Sequence, residues 1–199
     1  MNLQQALQIL KDEPILRIAI GGDIGSGKST FGKRLARTLN IPRIYIGKLL
    51  REEAAQRGIT LDELNKLMES DSAIDRKMDE MQKILSEKLS RGIFEGRVAW
   101  YFVTEPKITI FFQVSPKIAA MRIWQDTNQQ RDKYRTIEDL IAANQKRKES
   151  DENRYQRYYS ISAYDTDNYD LVINTDNLTI DEVFQKTVIK LANFIKNKH

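Results

Sequence analysis

The chain has 199 residues, a length that suits one domain able to bury a substantial core. Its 41% hydrophobic and 30% charged residues describe an ordinary globular protein, and no apolar run is long enough for a transmembrane helix. The lack of cysteine excludes disulfides and thiolate metal sites, and the single histidine, His199, is terminal, which removes histidine catalysis. A net charge of +4 is too mild for a dense nucleic-acid-binding surface. The opening residues Met1-Asn2-Leu3-Gln4-Gln5 lack a signal-peptide pattern, so a cytoplasmic protein with no membrane or nucleic-acid partner is expected.

In chain order, Gln4, Ala6, Leu7, Ile9 and Leu10 suit one short helix covering the edge of a sheet. Residues 15–20 are apolar and rich in isoleucine, the pattern of a buried strand. Gly22-Asp23-Ile24-Gly25-Ser26-Gly27-Lys28-Ser29 then satisfies the phosphate-loop pattern G-x-x-x-x-G-K-[ST] at every fixed position. Residues 30–39 follow as a helix with Phe31, Leu35, Ala36 and Leu39 on one face, stopped by Asn40-Ile41-Pro42. Strand, glycine loop and helix are what triphosphate binding needs: backbone N–H groups curl round the anion and the helix N-terminus adds partial positive charge. Lys28 then reaches the β- and γ-phosphates, and the Ser29 hydroxyl ligates Mg²⁺.

Residues 43–46 read as a second strand. Two helices, 49–57 and 61–70, follow, the latter opened by the capping box Thr60-Leu61-Asp62-Glu63. A further helix begins near Ser72-Ala73-Ile74-Asp75 and carries a core stripe of Ile74, Met78, Met81, Leu85 and Leu89. A simple crossover needs one helix, so the segment from about 48 to 90 reads as an insertion that either binds a second substrate or adds bulk. Strands are expected at 92–95, 108–114 and 170–174. Thr179-Ile180-Asp181-Glu182 starts the last helix, with Val183, Phe184, Thr187, Val188, Leu191 and Ile195 facing the sheet. The alternation predicts an α/β fold with a five-stranded parallel sheet in a single domain.

A phosphate loop alone does not fix function. Asn174-Thr175-Asp176 lacks the lysine of a guanine-recognition motif. Glu95-Gly96-Arg97 closes the third strand, where a carboxylate can orient a Mg²⁺-bound water and an arginine faces the phosphate crevice. Arg147, Asp151 and Arg154, spaced by four and three, share a helix face. There Asp151 can hold both guanidinium groups aimed at phosphate, although the same spacing equally describes a solvated ion-pair ladder. Arginine forks suit a transferring phosphoryl group, whose chemistry is mostly positioning and charge.

Taken together, Gly22 to Ser29, the Gly47 and Arg51 pair, Glu95-Gly96-Arg97, the Arg147/Asp151/Arg154 face and residues 169–176 resemble the cytidylate kinase family, in its short, archaeal-type branch. The resemblance spans about residues 15–194. It implies a three-layer P-loop fold with a monophosphate-binding insertion and a short lid at about 125–136, and the reaction ATP + (d)CMP → ADP + (d)CDP by a monomer. It implies that Gly22, Gly25, Ser26, Gly27, Lys28, Ser29 and Thr30 hold ATP and Mg²⁺, with Glu95 acting on the metal through water. Arg122 would lie near adenine or the phosphates, and Gly47, Arg51 and Arg97 would bind the acceptor phosphate. Lys28, Arg147 and Arg154 would clamp the transferred group, while Asp151 orders the arginines or touches the pyrimidine. Three departures bear on base choice: Lys48 after Gly47, Ile44-Tyr45-Ile46 in the second strand, and a lid of Asp126-Thr127-Asn128-Gln129-Gln130-Arg131 in which Arg131 could replace a lid arginine. Two other readings stay open: a kinase for AMP, UMP or a non-nucleotide, and an ATP-binding regulatory module without turnover.

Overall fold

The computed structural model describes residues 1–71, 73–126 and 134–198, with residues 62 and 75 described in backbone only. At its centre β1 (Leu16–Gly22) lies between β3 (Arg91–Glu95) and β4 (Ile108–Gln113), with β2 (Arg43–Tyr45) and β5 (Leu171–Asn174) at the edges. The order is β2-β3-β1-β4-β5, and every pairing is parallel. Parallel strands buried on both faces read as continuous apolar runs rather than alternating ones. Side-chain alternation nevertheless divides them: Ile18, Ile20, Ile93, Ile110 and Phe112 join the core on one face, while Ala19 and Phe94 join a second on the other.

The first face is covered by α2 (Lys28–Leu39) and α9 (Ile180–Lys198), the latter capped as expected, with Glu182 N–H donating to Thr179 Oγ1. The N-terminal helix α1 (Leu3–Asp12) packs on α9 and α2 through Ala6 and Leu10, not over a sheet edge. Its C-terminal carbonyls supply the reason: Leu10 and Lys11 accept from the Arg91 guanidinium at the start of β3. That anchor holds the helix over the apolar face, where Leu10 is fully buried.

Between β2 and β3 come three helices, α3 (Ile46–Gln56), α4 (Leu61–Ser70) and α5 (Ala73–Lys88). Ala54, Leu64, Met68 and Ile74 give them a small core of their own. The expected second strand is one residue shorter than its apolar run, because Ile46 opens α3 instead. After β3 the short α6 (Ala99–Phe102) contributes Ala99 to the second face, and α7 (Pro116–Trp124) follows β4. The 23-residue α8 (Ile137–Tyr159) begins at a capping box formed by Thr136 and Asp139. Most of the expected lid, including Arg131, and the Ser72 cap lie outside the described residues. No helix among the described residues is long and apolar enough to cross a membrane.

Candidate active site

Gly22 takes φ 140° at the end of β1, where a side chain would strike the Phe112 carbonyl. Gly27 caps α2 with φ 83° and offers no side-chain acceptor, so the first N–H groups of the helix stay available to an anion. Ser26 is buried beneath the loop, while Lys28, Ser29 and Thr30 line a cleft of about 510 Å³. The Lys28 ammonium donates to the Asp23 carbonyl at 2.8 Å. Burial of the group, reinforced by nearby Arg97 and Arg147, lowers its pKa to about 7 despite the attraction of Glu95 and Asp23. A bound polyphosphate would oppose that shift.

At the end of β3, Glu95 is 1% exposed and receives two hydrogen bonds from Arg43, at 2.6 and 2.9 Å. Its carboxylate fits because Gly32 in α2 has no side chain; a Cβ there would sit 1.9 Å from Oε1. Burial raises the Glu95 pKa against the pull of Arg43, Ser29 and Lys28. The Ser29 hydroxyl lies near both Glu95 and Tyr45 and favours the ionised form of each. Hydroxyl, nearby carboxylate and room for phosphate and water form the hard-oxygen environment Mg²⁺ prefers, since it retains several waters. No cluster of three metal-ligating side chains stands here among the described residues, so the metal would rely on Ser29 and the nucleotide.

Across the cleft, Arg51 donates to the Gly47 carbonyl at 2.9 Å and to the Tyr45 hydroxyl at 3.2 Å. Gly47 sits beneath the Tyr45 ring, where a Cβ would come within 2.7 Å of a ring carbon. Lys48 points away and pairs with Glu52.

Asp151 departs from its expected place between Arg147 and Arg154. One oxygen accepts from Arg154 at 2.8 Å, while the other accepts from Arg97 at 2.5 Å and from the Tyr164 hydroxyl at 3.0 Å. Arg147 acts on its charge without being one of these partners. The sequence spacing within one helix could not reveal that the strongest partner comes from the turn after β3. Burial alone would raise the Asp151 pKa, but Arg97, Arg154 and Arg147 hold it down at about 2. Asp151 and Arg154 are both 4% exposed, so this helix face is buried rather than a solvated ladder.

Arg122 lines the same cleft, as do Ile180 and Phe184. Its guanidinium donates to the Thr175 hydroxyl and carbonyl, at 3.0 and 2.5 Å. The cleft therefore brings together Gly25 to Thr30, Gly47, Arg51, Glu95, Arg97, Arg122, Arg147, Asp151 and Arg154. Sequence reasoning missed Arg43, Tyr45, Gly32 and Tyr164. A buried Glu95 requires a cation, yet nothing in the spacing says that β2 supplies it.

Residues 17–177 match the model of the cytidylate kinase-like family. The chain belongs to that family. The cytidylate kinase of Sulfurisphaera tokodaii is 38% identical over 185 residues, covering 92% of this chain and 99% of the relative. That of Pyrobaculum islandicum is 36% identical over 169 residues, covering 84% and 88%. Among solved structures, shikimate kinase from Bacteroides thetaiotaomicron aligns with a TM-score of 0.62 at 20% identity, covering 92% and 99% of the two chains. That likeness establishes the P-loop kinase fold.

Proposed function

We propose that this protein transfers the γ-phosphoryl group of ATP to CMP and dCMP, giving ADP and the cytidine diphosphates. The observation that carries this reading is a single cleft lined both by a phosphate loop and by the Arg51, Arg97 and Arg154 guanidiniums. A nucleotide sensor has no use for so many cations beyond the loop.

The acceptor is already an anionic phosphate oxygen, so no general base is needed. That oxygen attacks the γ-phosphorus, the bond to the β–γ bridging oxygen breaks, and ADP carries away the electron pair. The phosphate loop and Lys28 hold the donor, and Arg51 and Arg97 hold the acceptor phosphate. Arg147 and Arg154 neutralise charge on the transferring group, an effect worth about 10³–10⁵ in rate for a well-placed arginine. Asp151 orders Arg97 and Arg154, which keeps two buried cations aimed rather than splayed. Ser29 would hold Mg²⁺, with Glu95 acting on it through water, and the metal would supply positive charge to the phosphates. The helices from α3 to α5 serve as the monophosphate-binding insertion, and residues 125–136 as the lid that excludes water. The enzyme works as a monomer in the cytoplasm, where free nucleotides are found.

A coupled ADP-release assay with CMP, dCMP, UMP, AMP and shikimate tests this. Turnover should be fastest with CMP or dCMP. Preference for AMP or UMP would move the base assignment, and no turnover with any acceptor would overturn the kinase reading.

A further inference from the structure

Resting on the acceptor site just proposed, we infer that the Asn65 carboxamide reads the Watson–Crick edge of the acceptor base. Most polar side chains along the cleft already have other tasks. Lys28, Arg51, Arg97, Arg147 and Arg154 are cations suited to phosphate. Glu95 is held by Arg43, and the Asp151 oxygens are taken by Arg154, Arg97 and Tyr164. Three hydrogen bonds fill most of the Asp151 acceptor capacity, which favours its ordering role over a base contact.

Asn65 differs. It projects from α4 into the cleft wall, on the side that carries Gly47, Leu50 and Arg51. Its Nδ2 is shielded from solvent and has no hydrogen-bond partner. An unpaired amide nitrogen has no hydrogen bond to give up, so a turn of the Asn65 side chain, which lines the cleft, brings it to a ligand that completes its bonding. Gln82 also has an unpaired amide nitrogen, but it stands behind Gly96, near Ile46, and does not line the cleft.

A carboxamide has one donor face and one acceptor face. Cytosine presents an acceptor at N3 beside a donor at N4, so Asn65 can donate from Nδ2 to N3 and accept from N4 with Oδ1. Uracil carries a hydrogen at N3 and requires the amide turned over. A carboxylate at this position would accept from N4 but face the N3 lone pair of cytosine; with uracil it would accept the N3 hydrogen.

The test uses the full chain with Asn65→Leu and Asn65→Asp, assayed against CMP, UMP and ATP and compared by thermal unfolding. Asn65→Leu should raise KM for CMP by roughly 10–100-fold, the range for leaving a buried polar contact unmade. Its KM for ATP and its unfolding midpoint should stay near those of the parent. Asn65→Asp should lower the CMP-to-UMP ratio of kcat/KM by at least about tenfold. A CMP KM within twofold of the parent in Asn65→Leu overturns the assignment. So does an unchanged CMP-to-UMP ratio in Asn65→Asp, which needs no comparison with the leucine variant. Failure of the kinase reading would look different, as absent CMP turnover in the parent protein itself.

Discussion

Lys28 gives the phosphate loop both its reach and its sensitivity to pH. With a pKa of about 7 in the free protein against 10.5 for the ordinary ammonium, it is half neutral near physiological pH. A cation whose folded value lies below its unfolded one penalises the fold fully below pH 7, and that penalty fades as pH rises from 7 towards 10.5. Nucleotide phosphates should restore the charge, so binding above pH 7 must take up a proton. Titration calorimetry at pH 8, in two buffers of different ionisation enthalpy, should show an uptake approaching one proton per ATP. That uptake should fall towards zero at pH 6 and vanish in Lys28→Met. At this scale the fixed positions of the phosphate loop were fully legible, because their spacing is the mechanism. The Arg43–Glu95 and Arg97–Asp151 pairs were not, since each joins residues brought together only by the sheet and α8.

Among the elements, α2 shows how a helix can be shaped by a neighbour. Alanine is ordinarily favoured over glycine inside a helix by about 1 kcal/mol. At Gly32 the expected result is the opposite, because the added methyl would occupy the place of the Glu95 carboxylate. Gly32→Ala should lower the unfolding midpoint and reduce kcat by at least about tenfold, or 1.4 kcal/mol in transition-state terms. Steady-state kinetics across Mg²⁺ concentrations should show the demand for metal rising with it. A more stable, fully active Gly32→Ala would mean that Glu95 retreats without consequence. Helix starts marked by Thr60 and Thr179 were readable, since their partners lie three residues away. The four-residue α6 was not, being too short for any periodicity, and the apolar spacing of α1 predicts a helix without fixing its seat on α9 and α2.

For the molecule as a whole, alternating strands and helices in the sequence announced a parallel sheet. Their spatial order, with β1 between β3 and β4, depends on contacts far apart along the chain. That order places the β1 loop beside the end of β3, in the crevice at the carboxyl ends of the strands where ligands of open α/β sheets bind. It also brings α8 against the phosphate loop. The Asp23 carboxylate accepts from Lys148 of α8 at 3.1 Å and from the Val114 N–H at 3.1 Å, while its carbonyl holds Lys28.

Lys148 lies near the midpoint of α8, a rod roughly 34 Å long at 1.5 Å per residue. Its C-terminal end carries Tyr158, whose hydroxyl donates to the Met68 carbonyl of α4 at 3.0 Å. The rod therefore couples the phosphate loop, held at its middle, to α4, held at its end. Lys148→Met should cut that link without touching either substrate. Hydrogen exchange in residues 61–70 should then respond less to ATP alone than in the parent protein, where a donor bound at the loop is felt one helix away.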